Sequence, residues 1–395
     1  MTSGDHSTRS SRRTSTAGRL VRLGFADAAA AGDALAHPAL RDLMESDERL
    51  LLTLAAAADP DLALTSLVRI FEGAPDRDRA ALTVALLDVD GPVLDRLVAV
   101  LGASLALGDH LARHPDHWAV LAPDEPLSAG AVRRELLAAV GASPELAEPV
   151  AALVETAGHD ALRRTYRRRL LAVAGRDLTG LSGVGATATA LAELADATLE
   201  AALAIARGEL PADVEPCRLA VVAMGKCGGL ELNYVSDVDV LFVAEPVAGG
   251  DETAALATAT RLATALMRAC SVATGEGEIW PVDAGLRPEG RQGALVRTLA
   301  SYTAYYDRWA STWEFQALLK ARPVAGDLVL GAAFADAVAP QIWEAADRPD
   351  FVEDVQAMRR RVEEHVPAKE ADRQLKLGRG GLRDVEFAVQ LLQLV

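Results

Sequence analysis

From about Leu20 to Gly208 apolar residues recur three and four positions apart, and Pro, Gly or Asp interrupts the runs. That spacing puts the apolar residues on one face of a helix. It predicts helices over Pro60–Phe71, Gly91–Arg113 and Ala131–Val140. A further amphipathic helix is predicted over Thr189–Ile205, with the stripe Leu191, Leu194, Thr198, Ala201 and Ile205 and an end at Gly208 and Pro211. The pattern then changes. Leu219–Met224 is a continuous apolar run of buried-strand length, and Asp237–Val243 is apolar and β-branched apart from its two acids. Side chains on a strand alternate faces, so Asp237 and Asp239 point the same way while Val238, Val240 and Phe242 point into a core. Helical spacing returns from Asp251 to about Ala273, with the stripe Ala255, Ala259, Leu262, Leu266 and Cys270, and leads to a third strand, Glu278–Asp283. Strand, helix and strand in that order imply an α/β unit with its strands in one sheet. Pro281 cannot donate to a ladder, which assigns the third strand to an edge or to irregular pairing. Helices are predicted again over Leu299–Ala321, Phe351–Val366 and Val385–Val395. No fixed-period repeat is evident, which disfavours a solenoid.

Chemistry concentrates between the first two strands. Gly225, Lys226, Gly228 and Gly229 make a glycine-rich turn, and a polar bridge through Glu231, Asn233 and Ser236 leads to the aspartate pair. Two carboxylates about 4 Å apart repel by about 4 kcal/mol at an effective dielectric near 20. Such a pair is relieved by a shared proton, a basic partner or a divalent cation. Mg²⁺ binds through one or two carboxylates together with substrate phosphates. Glycine lets backbone N–H groups approach a phosphate closely. A lone D-x-D or a lone glycine turn is commonplace; their conjunction between two strands points to metal-assisted phosphoryl or nucleotidyl transfer.

The stretch resembles the signature of polymerase-β-type nucleotidyltransferases. In detail, MGKCGGLELNYVSDVDVLF is similar to the longer motif of bacterial glutamine synthetase adenylyltransferase/adenylyl-removing enzymes. Further matches follow in that family's order: VDAGLRPEGRQGALV, YYDRWASTWEFQALLKARPVAGD and LKLGRGGLRDVEFAVQLLQL. The likeness is specific over residues 217–395 and diffuse before them. It implies an α+β, mostly helical fold, in which a small mixed sheet is flanked by helical regions on both sides. It makes Asp283 the third carboxylate of a metal site with Asp237 and Asp239, and these three the catalytic residues. Gly225, Lys226, Gly228, Gly229 and Ser236 become nucleotide-binding positions, and Arg287, a planar permanent cation, a contact to phosphate or sugar. Where the family often has an arginine before this Leu-Arg-Pro, the chain has Gly285. Only one motif set is present, after a long helical region, as in the adenylyl-removing half. That half takes AMP off a tyrosine of glutamine synthetase by phosphorolysis, releasing ADP, under a PII-type signalling protein. Two other readings fit the same motifs: transfer of AMP from ATP, and a PII-type binding module with an idle site.

Composition adds limits. Net charge is −16, which argues against duplex nucleic acid as a partner. Three cysteines, Cys217, Cys227 and Cys270, have no metal-ligand spacing and fit a reducing cytoplasm. No apolar run has the length of a membrane span, and the Ser/Thr/Arg-rich start lacks a signal peptide's apolar segment. The expected organisation is a disordered tail over 1–18, a helical region over 19–210, a catalytic core over 211–300 and a helical region over 301–395. The last ends inside an apolar helix, as a truncated chain would. The rings Tyr302, Tyr305, Tyr306, Trp309, Trp313 and Phe315 are expected in a core, with Lys320 and Arg322 at the helix end the candidates for the site. Lys376 and Arg379 are candidate ligand contacts in the later glycine-rich turn. The basic run Arg163, Arg164, Arg167, Arg168 and Arg169 is expected to be a solvated face, and Cys227 a small apolar residue of the turn.

Overall fold

The computed structural model describes residues 16–41, 43, 48–364, 366–367, 369 and 373–394. The chain forms two compact units, one from Met1–Pro126 with Arg167–Gly183 and one from Leu127–Tyr166 with Val184–Val395. The division expected near residue 210 is therefore not where packing divides the chain. Of the expected tail, residues 1–15 lie outside the described residues, and Thr16–Arg22 is a helix with Leu20 buried.

The first unit is helical. Pro60–Gly73, Asp76–Leu87, Val93–Ala103 and Leu105–Arg113 surround a core that includes Leu64, Ile70, Phe71, Leu97 and Leu101. The single helix predicted over Gly91–Arg113 is two. Ser104 is extended, and its hydroxyl accepts the N–H of Leu107 at 3.3 Å, so a capping residue restarts the helix where spacing alone suggested continuity.

The second unit holds the sheet. Its strands are β1 (Cys217–Ala223), β2 (Val238–Pro246), β3 (Val282–Asp283), β4 (Val296–Arg297) and β5 (Arg322–Gly326). The path is β3-β2-β1-β5, and β4 also pairs with β2. β1 runs antiparallel to β2 and β5, while β3 and β4 run parallel to β2. The Glu252–Ser271 helix carries the chain between the parallel β2 and β3, as the strand–helix–strand order implies. β3 is much shorter than predicted and lies at the end of the path, where Pro281 costs no ladder bond on a further strand.

Both faces of β1 and β2 are buried. Ala220, Val222, Met224, Leu241 and Val243 share a core with Tyr302, Tyr306, Phe315 and Phe334. Val221, Val240 and Phe242, on the alternate positions, are also fully buried, and the Val184–Gly208 and Glu252–Ser271 helices pack in this unit. The expectation of a single core-facing side to β2 is thus too narrow. The helix predicted over Leu299–Ala321 divides into Leu299–Arg308 and Thr312–Leu318. At the break the Glu314 carboxylate accepts the N–H of Ser311 at 2.9 Å, the reach-back of an S-x-x-E start signal that is legible in the sequence.

Arg163 corrects the reading of the basic run as a solvated face. It is 0% exposed, and its guanidinium donates to the backbone carbonyls of His159, Val272 and Gly277. It thereby ties the end of the Glu252–Ser271 helix and the turn leading to β3.

Candidate active site

The register of β2 builds the floor of the site. In the parallel pairing of β2 with β3, Asp239 stands opposite Asp283. Asp237 lies two residues earlier on the same face. Oxygens of Asp237, Asp239 and Asp283 all lie within 4.8 Å of one another. Asp283 Oδ1 also accepts the N–H of Gly285 at 2.7 Å, which fixes one end of that carboxyl. Burial, then the charges of Asp237 and Asp283, pushes the Asp239 carboxyl up to about 6, while Lys376 and Arg383 pull it back. A set of hard oxygens that repel one another so strongly fits a divalent cation.

The turn after β1 is shaped around this floor. Met224 N–H donates to Asp239 O at 2.8 Å, and one helical turn follows, Gly225–Gly228. Gly225 has φ +53°, and a Cβ there would collide with Asp239 Oδ2. Only glycine lets the turn lie against that carboxylate. Gly228 serves close packing, because a Cβ there would strike Lys320 O and Ala223 O. The N–H groups of Gly228 and Gly229 donate to Met224 O and Gly225 O at 2.9 and 3.1 Å. The part of the turn that faces the cleft is therefore Gly225 and Lys226, with Ser236 across from them in the lining.

Cys227 is buried; its thiol donates to Asp196 Oδ1 at 3.7 Å and burial drives its pKa far upward, consistent with a packing residue and not a nucleophile. Arg322 locks the turn from below. Its guanidinium pairs with both oxygens of Asp196 at 2.6 and 3.0 Å and donates to Cys227 O and Gly228 O. It is a support of the glycine turn and does not line the cleft.

The cleft above the carboxylates has a volume of about 260 Å³. Lys226, Lys320, Lys376 and Arg383 bring positive charge to it, and Leu286, Trp313, Met358, Val362 and Phe387 bring apolar surface. Lys320 contacts Glu231 and Glu386 at 2.7 and 3.3 Å, and Arg383 contacts Glu386 at 3.1 Å. Arg287 is placed otherwise than expected. Its guanidinium donates to the carbonyls of Ala284, Arg291 and Gly293 at 2.8 to 3.1 Å, so its planar fork holds its own loop together. Arg291 instead approaches Asp283, at 3.6 Å and 84% exposed. Arg379 pairs with Glu363 and is not among the lining residues, whereas Lys376 is.

The sequence does not mark Arg383, Glu386, Trp313 and Gln316 as site residues, yet they line the cleft. Their signal was weak because each sits on a helix, Thr312–Leu318 or Leu382–Leu394, that only tertiary packing brings beside the sheet. Of the rings expected in the core, Tyr302, Tyr306 and Phe315 are there, while Trp313 lines the cleft and Trp309 is exposed.

The sequence profile of glutamate-ammonia ligase adenylyltransferase matches residues 94–337, and that of the GlnD PII-uridylyltransferase matches residues 356–395. The bifunctional glutamine synthetase adenylyltransferase/adenylyl-removing enzyme of Streptomyces avermitilis is 56% identical over 384 residues, which cover 97% of this chain and 37% of the relative. The enzyme of the same description from Streptomyces coelicolor is 56% identical over 387 residues, with the same shares covered. That of Mycolicibacterium smegmatis is 51% identical over 353 residues, 88% of this chain and 34% of its own. The chain thus spans about a third of the length of these relatives. A profile match that runs through the glycine turn and the aspartate floor, with identity of this level over nearly the whole chain, establishes that the chain belongs to the glutamate-ammonia ligase adenylyltransferase family.

Proposed function

We propose that this chain removes AMP from the adenylylated tyrosine of glutamine synthetase by Mg²⁺-dependent phosphorolysis, releasing ADP. The observation that carries the reading is the meeting of Asp237, Asp239 and Asp283 beneath a cleft supplied with basic side chains. The long helical region ahead of the motif favours the removing direction, since the resemblance has that order in the adenylyl-removing half.

Inorganic phosphate attacks the phosphorus of the AMP–tyrosine diester in line. A bond forms from phosphate oxygen to phosphorus, the bond to the tyrosine oxygen breaks, and the phenolic oxygen regains a proton from solvent. Mg²⁺ held by Asp237, Asp239 and Asp283 would supply positive charge to the attacking and leaving oxygens. Lys226, Lys376 and Arg383 orient the two anionic reactants, which would otherwise repel each other. Gly225 keeps the backbone low enough for the diester to lie over the carboxylates. No side-chain nucleophile is required.

A cytoplasmic setting and control by a PII-type signalling protein belong to the same proposal. No helix among the described residues is long and apolar enough to cross a membrane. The test is to incubate the chain with AMP-modified glutamine synthetase, Mg²⁺ and phosphate and to measure ADP. ADP release that depends on phosphate and needs no ATP is expected. Labelling of unmodified glutamine synthetase from radioactive ATP, without phosphate-dependent ADP release, would replace this reading with adenylyl transfer.

A further inference from the structure

One side chain of the cleft is left unexplained by phosphate chemistry. Trp313, Gln316, Ala317 and Lys320 line it from one helical face, at the i, i+3, i+4, i+7 positions of the segment that begins with the Thr312–Leu318 helix. Gln316 is 2% exposed, and neither Oε1 nor Nε2 of its amide has a hydrogen-bond partner among the described residues. Native interiors rarely leave a buried amide unpaired at both atoms, because burial strips it of water without replacement. A ligand that offers one donor beside one acceptor would satisfy both.

We infer that Gln316 reads the purine base of the nucleotide, its amide pairing with the 6-amino group and the adjacent ring nitrogen of adenine. The inference rests on the adenylyl reading above and adds its base-binding subsite. A carboxamide carries an acceptor oxygen and two N–H donors, and adenine presents an amino donor next to a ring-nitrogen acceptor, so the match is bidentate. Phosphate would serve Nε2 but set Oε1 against anionic oxygens. Trp313, on the same face, offers an aromatic surface on which a purine can stack, and Met358 and Phe387 add apolar surface to the lining. The base and the phosphates of one nucleotide would then be held by different parts of one cleft, with Lys320 and the carboxylate floor on the charged side of the ligand.

The experiment compares binding of ADP and of purine riboside 5′-diphosphate, which lacks only the 6-amino group, to the wild-type chain and to Gln316→Met in Mg²⁺ buffer by calorimetry. The wild type should prefer ADP by about tenfold, the worth of one good hydrogen bond to a buried acceptor. Gln316→Met keeps the volume of the side chain and should bind the two nucleotides within about twofold of each other. Equal affinities for the wild type, or an undiminished preference in the variant, would overturn the inference and leave the adenylyl reading standing. Failure of the wild type to bind either nucleotide would overturn both together. Should Gln316→Met not fold, Gln316→Asn, which draws the amide back by one methylene, is expected to lose the preference in the same way; retention of it would count against Gln316.

Discussion

Asp239→Asn removes one charge from the carboxylate floor at almost no change in shape. In the wild type the Asp239 carboxyl is displaced from an ordinary 3.8 to about 6 by burial and by Asp237 and Asp283. At 1.36 kcal/mol for each tenfold change in proton affinity, that displacement costs the metal-free fold about 3 kcal/mol once the group is ionised. Asp237 is exposed, so water screens its share, and a gain of about 1–3 kcal/mol for the asparagine variant is expected in chelator at pH 8. For a unit of this size each kcal/mol moves the thermal midpoint by about 2–4 °C. The sign of the pH dependence follows from the raised value. Between pH of about 4 and 6 the folded protein holds a proton that the unfolded chain has released, so wild-type stability falls as pH rises through that window. The variant lacks this fall, and its advantage should vanish near pH 4. Millimolar Mg²⁺ should reverse the order by stabilising the wild type and not the variant, and ADP release should drop by orders of magnitude in the variant. Thermal unfolding across pH, with chelator and with Mg²⁺, reads all of this. A variant no more stable than wild type in chelator at pH 8, or an equal response of both proteins to Mg²⁺, would refute the reasoning.

Gly225→Ala forces a side chain into a left-handed residue that touches Asp239, at a cost of about 1–2 kcal/mol from the backbone alone. Its midpoint should fall in chelator and its response to Mg²⁺ should shrink, as the carboxylate is pushed aside. Arg322→Ala takes the ion-pair partner from Asp196 and a guanidinium donor from the Cys227 and Gly228 carbonyls, so urea unfolding should show a loss of about 3 kcal/mol; Arg322→Lys should recover only part of it, lacking the planar fork. Arg163→Met removes the guanidinium donor shared by the His159, Val272 and Gly277 carbonyls, and about 2 kcal/mol should be lost. Hydrogen exchange at Gly277 should quicken in that variant, with the site's response to Mg²⁺ intact.

Local chemistry determined a good deal of this protein before any packing is considered. The period-two run from Asp237 to Val243 set two carboxylates on one face, because that alternation is a property of any extended backbone. The change from helical to strand spacing and back marked β1, β2 and the crossover helix, and Pro281 marked an edge. The glycine turn announced its position through residues that tolerate what others cannot. What spacing could not convey was decided by contacts between segments far apart in the chain. Asp283 joins the floor through a two-residue parallel pairing whose register the sequence does not specify. β5 carries no clear strand signal because Arg322 and Pro323 look like the end of a helix. Arg287 and Arg163 carry the same guanidinium, and a sequence offers no way to tell a ligand contact or a solvated face from a clasp on backbone carbonyls. That choice depends on which unpaired carbonyls the fold buries beside each arginine, and burial is settled only when helices hundreds of atoms distant close over the same sheet.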